Sequence, residues 1–255
     1  MNRPFYKFVS RSSATYPDLP IVHTTDLYTF RNIADTDRTI KTKMCPVFGE
    51  ELLYFFYGRP AYRPHGGVNP NSLSAFYLSS FVINPGAIKP RRVYPFDTGA
   101  FAQGMFNGSL HPSMTVEDFE LDASLDAARQ AVSAFYASNE AYMNGKLNRN
   151  IIHGAMDFEV EAYMDWSLAK SQTAYDDRRN AFEIQVSSSC KLDHHDVLAV
   201  IVPEQILDDK DILQFIEIDL RAKALGYTCV HAQPHEDARA ILIETKRFYK
   251  ELGLI

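Results

Sequence analysis

Cysteine is scarce in this chain. Cys45, Cys190 and Cys229 make an odd count with no CxxC spacing, which argues against a disulfide scaffold and against a cysteine-based zinc site. Long apolar runs are missing as well. Nothing approaches the roughly 20 apolar residues that cross a bilayer, and the opening Met1-Asn2-Arg3-Pro4-Phe5-Tyr6-Lys7 lacks the apolar core of a signal peptide. There is no internal repeat, no low-complexity tract and no linker-like stretch. Positive charge is not in excess either: the formal net charge of −6 offers no general attraction for a nucleic-acid backbone, so such binding would need a local basic cluster. The expectation from these absences is a soluble, untargeted cytoplasmic protein with reduced thiols and no membrane partner.

What is present is ordinary globular composition. The 255 residues, 46% hydrophobic and 23% charged, suffice for one large core or two modest ones, and a single domain over residues 1–255 is expected. One stretch stands out, Arg179-Asn180-Ala181-Phe182-Glu183-Ile184-Gln185-Val186. Its alternation puts Phe182, Ile184 and Val186 on one face of a strand, so Glu183 and Gln185 project together from the other. An ordinary half-buried strand would turn such an acid toward water.

Taken in order, residues 1–19 read as a polar arm or covering loop. Leu19-Pro20-Ile21-Val22-His23 follows as a short buried strand. Thr25 or Asp26 then caps a helix whose Leu27, Phe30 and Ile33 share a face. A histidine at such a strand end can receive an anion, or it can order the turn by bonding to backbone. Leu52 to Tyr57 is an aromatic strand ended by Gly58 and Pro60, with Arg59 and Arg63 at its terminus in positions suited to a pyrophosphate or carboxylate.

After a polar loop at 64–72, a strand is expected over Leu73 to Ile83, stopped by Pro85. Lys89, Arg91 and Arg92 beside Tyr94 and Phe96 form the best basic and aromatic cluster, suited to a phosphate or base or simply solvated. Helices are expected over residues 115–138, with Thr115 and Asp118 as an acidic capping box, and over 155–168, whose Glu159, Glu161 and Asp165 make a wet face. A loop at 167–179 leads into the Glu183 strand. A strand over 196–202, a helix over 208–225 closed by Gly226, a strand over 227–231 and a helix over 236–252 complete the chain. Asp193-His194-His195-Asp196 looks like a metal cluster, but neighbours on an extended chain point in opposite directions, and no metal is expected.

Three segments in this order resemble the DarT-type ADP-ribosyltransferases, toxins that transfer ADP-ribose from NAD onto nucleobases, and more loosely the wider ADP-ribosyltransferase superfamily. They are Val22-His23-Thr24-Thr25-Asp26-Leu27 with Asn32-Ile33, Leu53-Tyr54-Phe55-Phe56-Tyr57-Gly58-Arg59-Pro60, and Ala181-Phe182-Glu183-Ile184-Gln185-Val186 with Val200-Ile201-Val202. The resemblance covers roughly residues 20–63 and 179–205, and the 64–178 region between them is expected to contain a family-specific insertion. It implies an α+β fold built on a split, mixed, mainly antiparallel sheet surrounded by helices. NAD is implied as co-substrate, with a nucleic-acid or protein acceptor, a toxin or phage-defence role and an antitoxin partner.

The same resemblance implies site roles. Glu183, Arg59 and His23 would be catalytic: Glu183 stabilises the ribose cation or handles the acceptor proton, His23 bonds the ribose or phosphate, and Arg59 offsets pyrophosphate charge or helps activate the acceptor. Thr24, Thr25 and Asn32 would add polar contacts to NAD, and either Tyr54 or Tyr57 would stack on nicotinamide, since the two face opposite ways. The rival readings are an NAD glycohydrolase, a non-catalytic NAD-binding or sensor module of the same fold, and a metal-dependent hydrolase or nuclease using His194 and His195.

Overall fold

Apolar alternation and aromatic runs fix where the strands lie, and the computed structural model describes residues 3–62, 73–168, 178–229 and 234–255. The strands are β1 (Ile21–Asp26), β2 (Thr39–Ile40), β3 (Lys43–Cys45), β4 (Glu50–Tyr57), β5 (Leu78–Ile83), β6 (Arg92–Tyr94), β7 (Glu183–Val186), β8 (Cys190–Lys191), β9 (Val197–Pro203) and β10 (Lys223–Tyr227). Helices are α1 (Pro4–Ser10), α2 (Leu27–Asp35), α3 (Thr98–Ala102), α4 (Leu125–Phe135), α5 (Asn139–Met143), α6 (Phe158–Leu168), α7 (Lys210–Leu213) and α8 (Pro234–Glu251). The fold is α+β. An eight-stranded sheet runs β10-β9-β5-β1-β4-β7-β6 with β3 beside β4, and β2 and β8 form a separate ribbon. Every pairing is antiparallel except that of β9 with β10.

One feature of the register positions the site. β1 pairs with β5 along its whole length, from Ile21↔Ile83 to Asp26↔Leu78, but with β4 only at Ile21↔Tyr57 and Val22↔Phe56. Beyond Val22 the two strands part company. β4 instead holds β3 through Lys43↔Leu52 and β7 through Leu53↔Val186 to Phe56↔Glu183.

The middle of the chain supplies β5 and β6 to this sheet, together with an aromatic layer. Phe96 sits 5.1 Å from Trp166 and 5.4 Å from Phe106 and Phe119, ring centre to ring centre, and edge-to-face pairs of this kind add specificity to burial.

Four expected elements change. Residues 4–10 are helical rather than an arm: Pro4 starts the helix, Phe5 and Val9, one turn apart, are both buried, and the Phe5 ring packs against Phe119, Phe135 and Tyr163. The 73–83 strand begins only at Leu78, after a short turn of 3-10 helix at Ser74–Phe76. The 115–138 helix is broken: the Thr115–Asp118 capping box exists but opens a 3-10 turn, and α4 starts afresh where Ser124 accepts the Ala127 N–H.

The last change lies near the C-terminus. The helix expected to reach Leu225 ends at Asp219, because Arg221, just past the Leu220 cap, adopts a left-handed conformation (φ 50°) and turns the chain into β10. Gly226 therefore lies inside a strand, where a Cβ would come within 2.8 Å of Glu204. The strand expected over 227–231 lies earlier, as β10, which ends at Tyr227; residues 228–229 are outside it and 230–231 lie outside the described residues, as do most of the 64–72 and 167–179 loops. No helix among the described residues is long and apolar enough to cross a membrane.

Candidate active site

The parting of β1 from β4 opens a cavity of about 600 Å3, well inside the roughly 300–1,000 Å3 range of small-molecule sites. His23, Thr24, Thr25, Asn32, Tyr54 and Glu183 all line it. Of the residues proposed from sequence, Tyr57 and Arg59 go elsewhere.

β1 and α2 build one wall. Asp26 accepts the Thr29 N–H at 2.7 Å and so starts the helix that carries Asn32 and Ile33 to the cavity. Thr24 is fixed by a 2.7 Å hydroxyl pair with Ser80 on β5. His23 lies where the β1–β4 ladder stops, with Nδ1 2.9 Å from the Tyr54 carbonyl. A carbonyl only accepts, so Nδ1 carries the hydrogen and Nε2 keeps an acceptor lone pair. Burial lowers the imidazole pKa to about 4, outweighing the Tyr54 bond, and nearby Lys43 pushes the same way. The histidine is neutral at physiological pH.

β4, β7 and α3 build the other wall. Glu183 lies between Phe56 and Tyr94 in the sheet and is 2% exposed. Its Oε1 accepts from Thr98 Oγ1 at 2.8 Å and from Gln185 Nε2 at 2.7 Å, and Oε2 accepts from the Thr98 N–H at 3.0 Å. Glu183 and Gln185 thus share a face, as alternation required. Burial raises the carboxyl pKa to about 8, with neighbouring Asp97 adding to the rise and the three donors opposing it. Asp97 itself accepts the Ala100 N–H at 2.8 Å and caps α3.

Of the two tyrosines, Tyr54 is the one that lines the cavity, together with Cys45 of β3. Tyr57 faces the opposite way and is fully buried. Its hydroxyl accepts the Leu19 N–H at 3.0 Å and its carbonyl accepts from Tyr142 at 2.7 Å.

Arg59 departs from expectation for a backbone reason. Gly58 takes φ 68°, with its N–H on the Pro20 carbonyl, and turns Arg59 out of the cavity wall, which the chain rejoins at Ala61 and Tyr62. The Arg59 guanidinium donates to the Tyr142 carbonyl near the end of α5 and lies 5.7 Å from that ring, at 2% exposure. Arg63 lies outside the described residues.

The basic and aromatic cluster is also spent on structure. Arg91 and Arg92 pair with Glu50 at 2.9 and 2.5 Å, and Arg92 stacks over Phe48. Asp193, His194 and His195 do converge, contrary to the extended-chain argument, because residues 194–196 form a turn; their ligand atoms lie within 4.8 Å of one another on the surface. A second cavity, of about 950 Å3, gathers Asp118, Glu159, Glu161 and Asp165 and holds none of the sequence-derived site residues.

Sequence reasoning missed Asp97, Thr98, Lys41, Lys43 and Cys45, all of which line the first cavity. Asp97-Thr98-Gly99 has the composition of a helix start, which was the available signal. No family model, curated protein or solved structure matches the chain. The arrangement offers a buried carboxylate of raised pKa, a neutral imidazole acceptor and an aromatic face in one cavity, a set able to hold a hydroxylated ring and to handle a proton beside it.

Proposed function

We propose that this protein is an NAD-dependent ADP-ribosyltransferase of the DarT type. It would pass ADP-ribose from NAD, used as a co-substrate, to a nucleic-acid or protein acceptor. A toxin or phage-defence role, a cytoplasmic setting and an antitoxin partner belong to the same reading. One observation carries it: Glu183 and His23, remote in sequence, line a single cavity of dinucleotide-compatible size with Thr25, Asn32 and Tyr54.

In this reading NAD supplies a glycosidic bond whose cleavage releases nicotinamide and leaves positive charge on the ribose. Ionised Glu183 faces that charge and takes the acceptor's proton, and a pKa near 8 suits a base working close to neutrality. Thr98 and Gln185 hold the carboxylate in place. His23 accepts a ribose hydroxyl at Nε2, and the face of Tyr54 takes the nicotinamide ring. Arg59 is assigned no part in catalysis, since its guanidinium is engaged at Tyr142.

The test is release of nicotinamide from NAD, followed by labelling of acceptors with radioactive NAD. Glu183→Gln is expected to abolish both; a folded variant that works as fast as the parent ends the proposal. Free ADP-ribose with no labelled macromolecule would mark a glycohydrolase instead. A second reading, an NAD-binding module without turnover, draws support from the three donors that saturate Glu183 at 2% exposure. Tight NAD binding with no nicotinamide released would favour it.

A further inference from the structure

The lining of the main cavity is electrically divided. Its acids, Glu183, Asp97 and Asp26, are all buried, at 2%, 6% and 8% exposure. Its only cationic side chains among the described residues, Lys41 and Lys43, are exposed at the rim. Neither ammonium has an ion-pair partner within 4.0 Å among the described residues, although Lys41 lies close enough to Asp37 to stabilise that carboxylate.

The segment that carries the lysines is held in place. β2 pairs with β8, β3 pairs with β4, the Thr42 N–H bonds Ser189 at 3.1 Å and the Thr42 hydroxyl bonds Glu51 at 3.1 Å. Lys43 opposes Leu52 and so shares the β4 face of Tyr54 and Phe56, the face on which Glu183 stands. Two cations on an anchored segment, Lys43 on β3 and Lys41 just before it, stand above a floor of buried carboxyls, an arrangement suited to a ligand with negative charge at its middle and a neutral or cationic end reaching inward.

We propose that Lys41 and Lys43 form the diphosphate subsite of this cavity and bind the phosphate oxygens of a nucleoside diphosphate. The inference depends on the ADP-ribosyltransferase reading only for the identity of the complete substrate. Arg59, bound to Tyr142, leaves this role to the lysines. Oxidised NAD fits the same division of charge, its diphosphate at the rim and its positively charged nicotinamide ring toward Glu183 and Asp97.

The experiment is calorimetric titration with ADP and with adenosine, run on the parent, Lys41→Met, Lys43→Met and the double variant, alongside nicotinamide release from NAD. Both lysines are exposed, so the variants should keep the parental melting temperature. The double variant is expected to bind ADP at least about tenfold more weakly, with adenosine affinity unchanged and a flatter salt dependence for ADP. Arginine at either position should restore most of the loss.

Several results would overturn the subsite: parental ADP affinity in the double variant, an equal loss for adenosine, or no ADP binding by the parent. Lysine-dependent ADP binding with no nicotinamide release supports the subsite while ending the transferase reading. Nicotinamide release with a parental KM in the double variant does the reverse.

Discussion

Thr98 provides the sharpest test of how the site works, because it holds Glu183 through two atoms that mutation can separate. Thr98→Val removes the hydroxyl 2.8 Å from Oε1 and leaves the backbone N–H 3.0 Å from Oε2 in place, with almost no change of shape. A hydrogen bond to a charged group is worth about 1.5–3 kcal/mol, and one pKa unit corresponds to about 1.36 kcal/mol. The lost donor favoured the ionised carboxylate, so the Glu183 pKa should rise from about 8 by about one to two units. If ionised Glu183 is the active form, kcat/KM for nicotinamide release climbs with pH along a limb set by that pKa. The variant's limb should move to higher pH by the same amount. At neutral pH its rate should fall about ten- to a hundredfold, and the two profiles should converge once both carboxyls are ionised. A merely structural defect would lower the plateau and leave the limb where it was. Thr98→Ser, which keeps the hydroxyl, should restore the parental profile. A folded Thr98→Val variant with an unshifted limb would refute the reasoning.

Glu183→Gln should change the pH dependence of stability as well as remove activity. The carboxyl pKa is raised in the folded chain, from 4.5 to about 8, so the folded state binds more protons across that window. Parental stability should therefore fall as pH rises through it, while the Gln variant lacks that slope; urea midpoints at the two ends of the window measure the difference. His23 has the opposite sign. Its folded pKa of about 4 lies below the ordinary 6.5, so its contribution is fully present above 6.5 and is lost as pH falls toward 4; His23→Ala should remove this acid sensitivity. The same substitution should cost about 1–3 kcal/mol by taking the imidazole donor from the part-buried Tyr54 carbonyl. Arg59→Met should cost about 1.5–3 kcal/mol of stability, read by denaturant unfolding, through loss of the Tyr142 contact. Its KM for NAD should stay unchanged, and a raised KM at parental stability would reverse the placement of Arg59.

The parts of this architecture that depend on short-range periodicity were legible in the sequence. Alternation through 182–186 put Glu183 beside Gln185, and the spacing of Leu27, Phe30 and Ile33 behind Asp26 marked a capped helix with one buried face. The separation of Tyr54 from Tyr57 followed from the same two-residue period. Features set by single backbone angles were not legible. Gly58 redirects Arg59, and Ala137 (φ 60°) and Arg221 (φ 50°) end helical segments where no glycine signals a stop. The α1 helix has only two buried apolar positions, too few to show a period. Thr98 reaches Glu183 across 85 residues of chain, a contact that local pattern does not encode.

The cavity and its histidine have one physical origin. A sheet that splits leaves backbone groups without ladder partners, and buried carbonyls need donors. Where β1 abandons β4 after Val22, the next residue is His23, whose Nδ1–H reaches the Tyr54 carbonyl. An aliphatic side chain there would leave that carbonyl without this donor, and a lysine would bring a charge that burial penalises. Neutral imidazole meets the requirement with one nitrogen and retains an acceptor on the other. The structural reading of this histidine as a backbone partner and the functional reading as a ribose ligand therefore do not compete. The bond that orders the split also fixes the tautomer that would face a substrate hydroxyl, and the opening that creates the need for the bond is the opening through which the proposed substrate would enter.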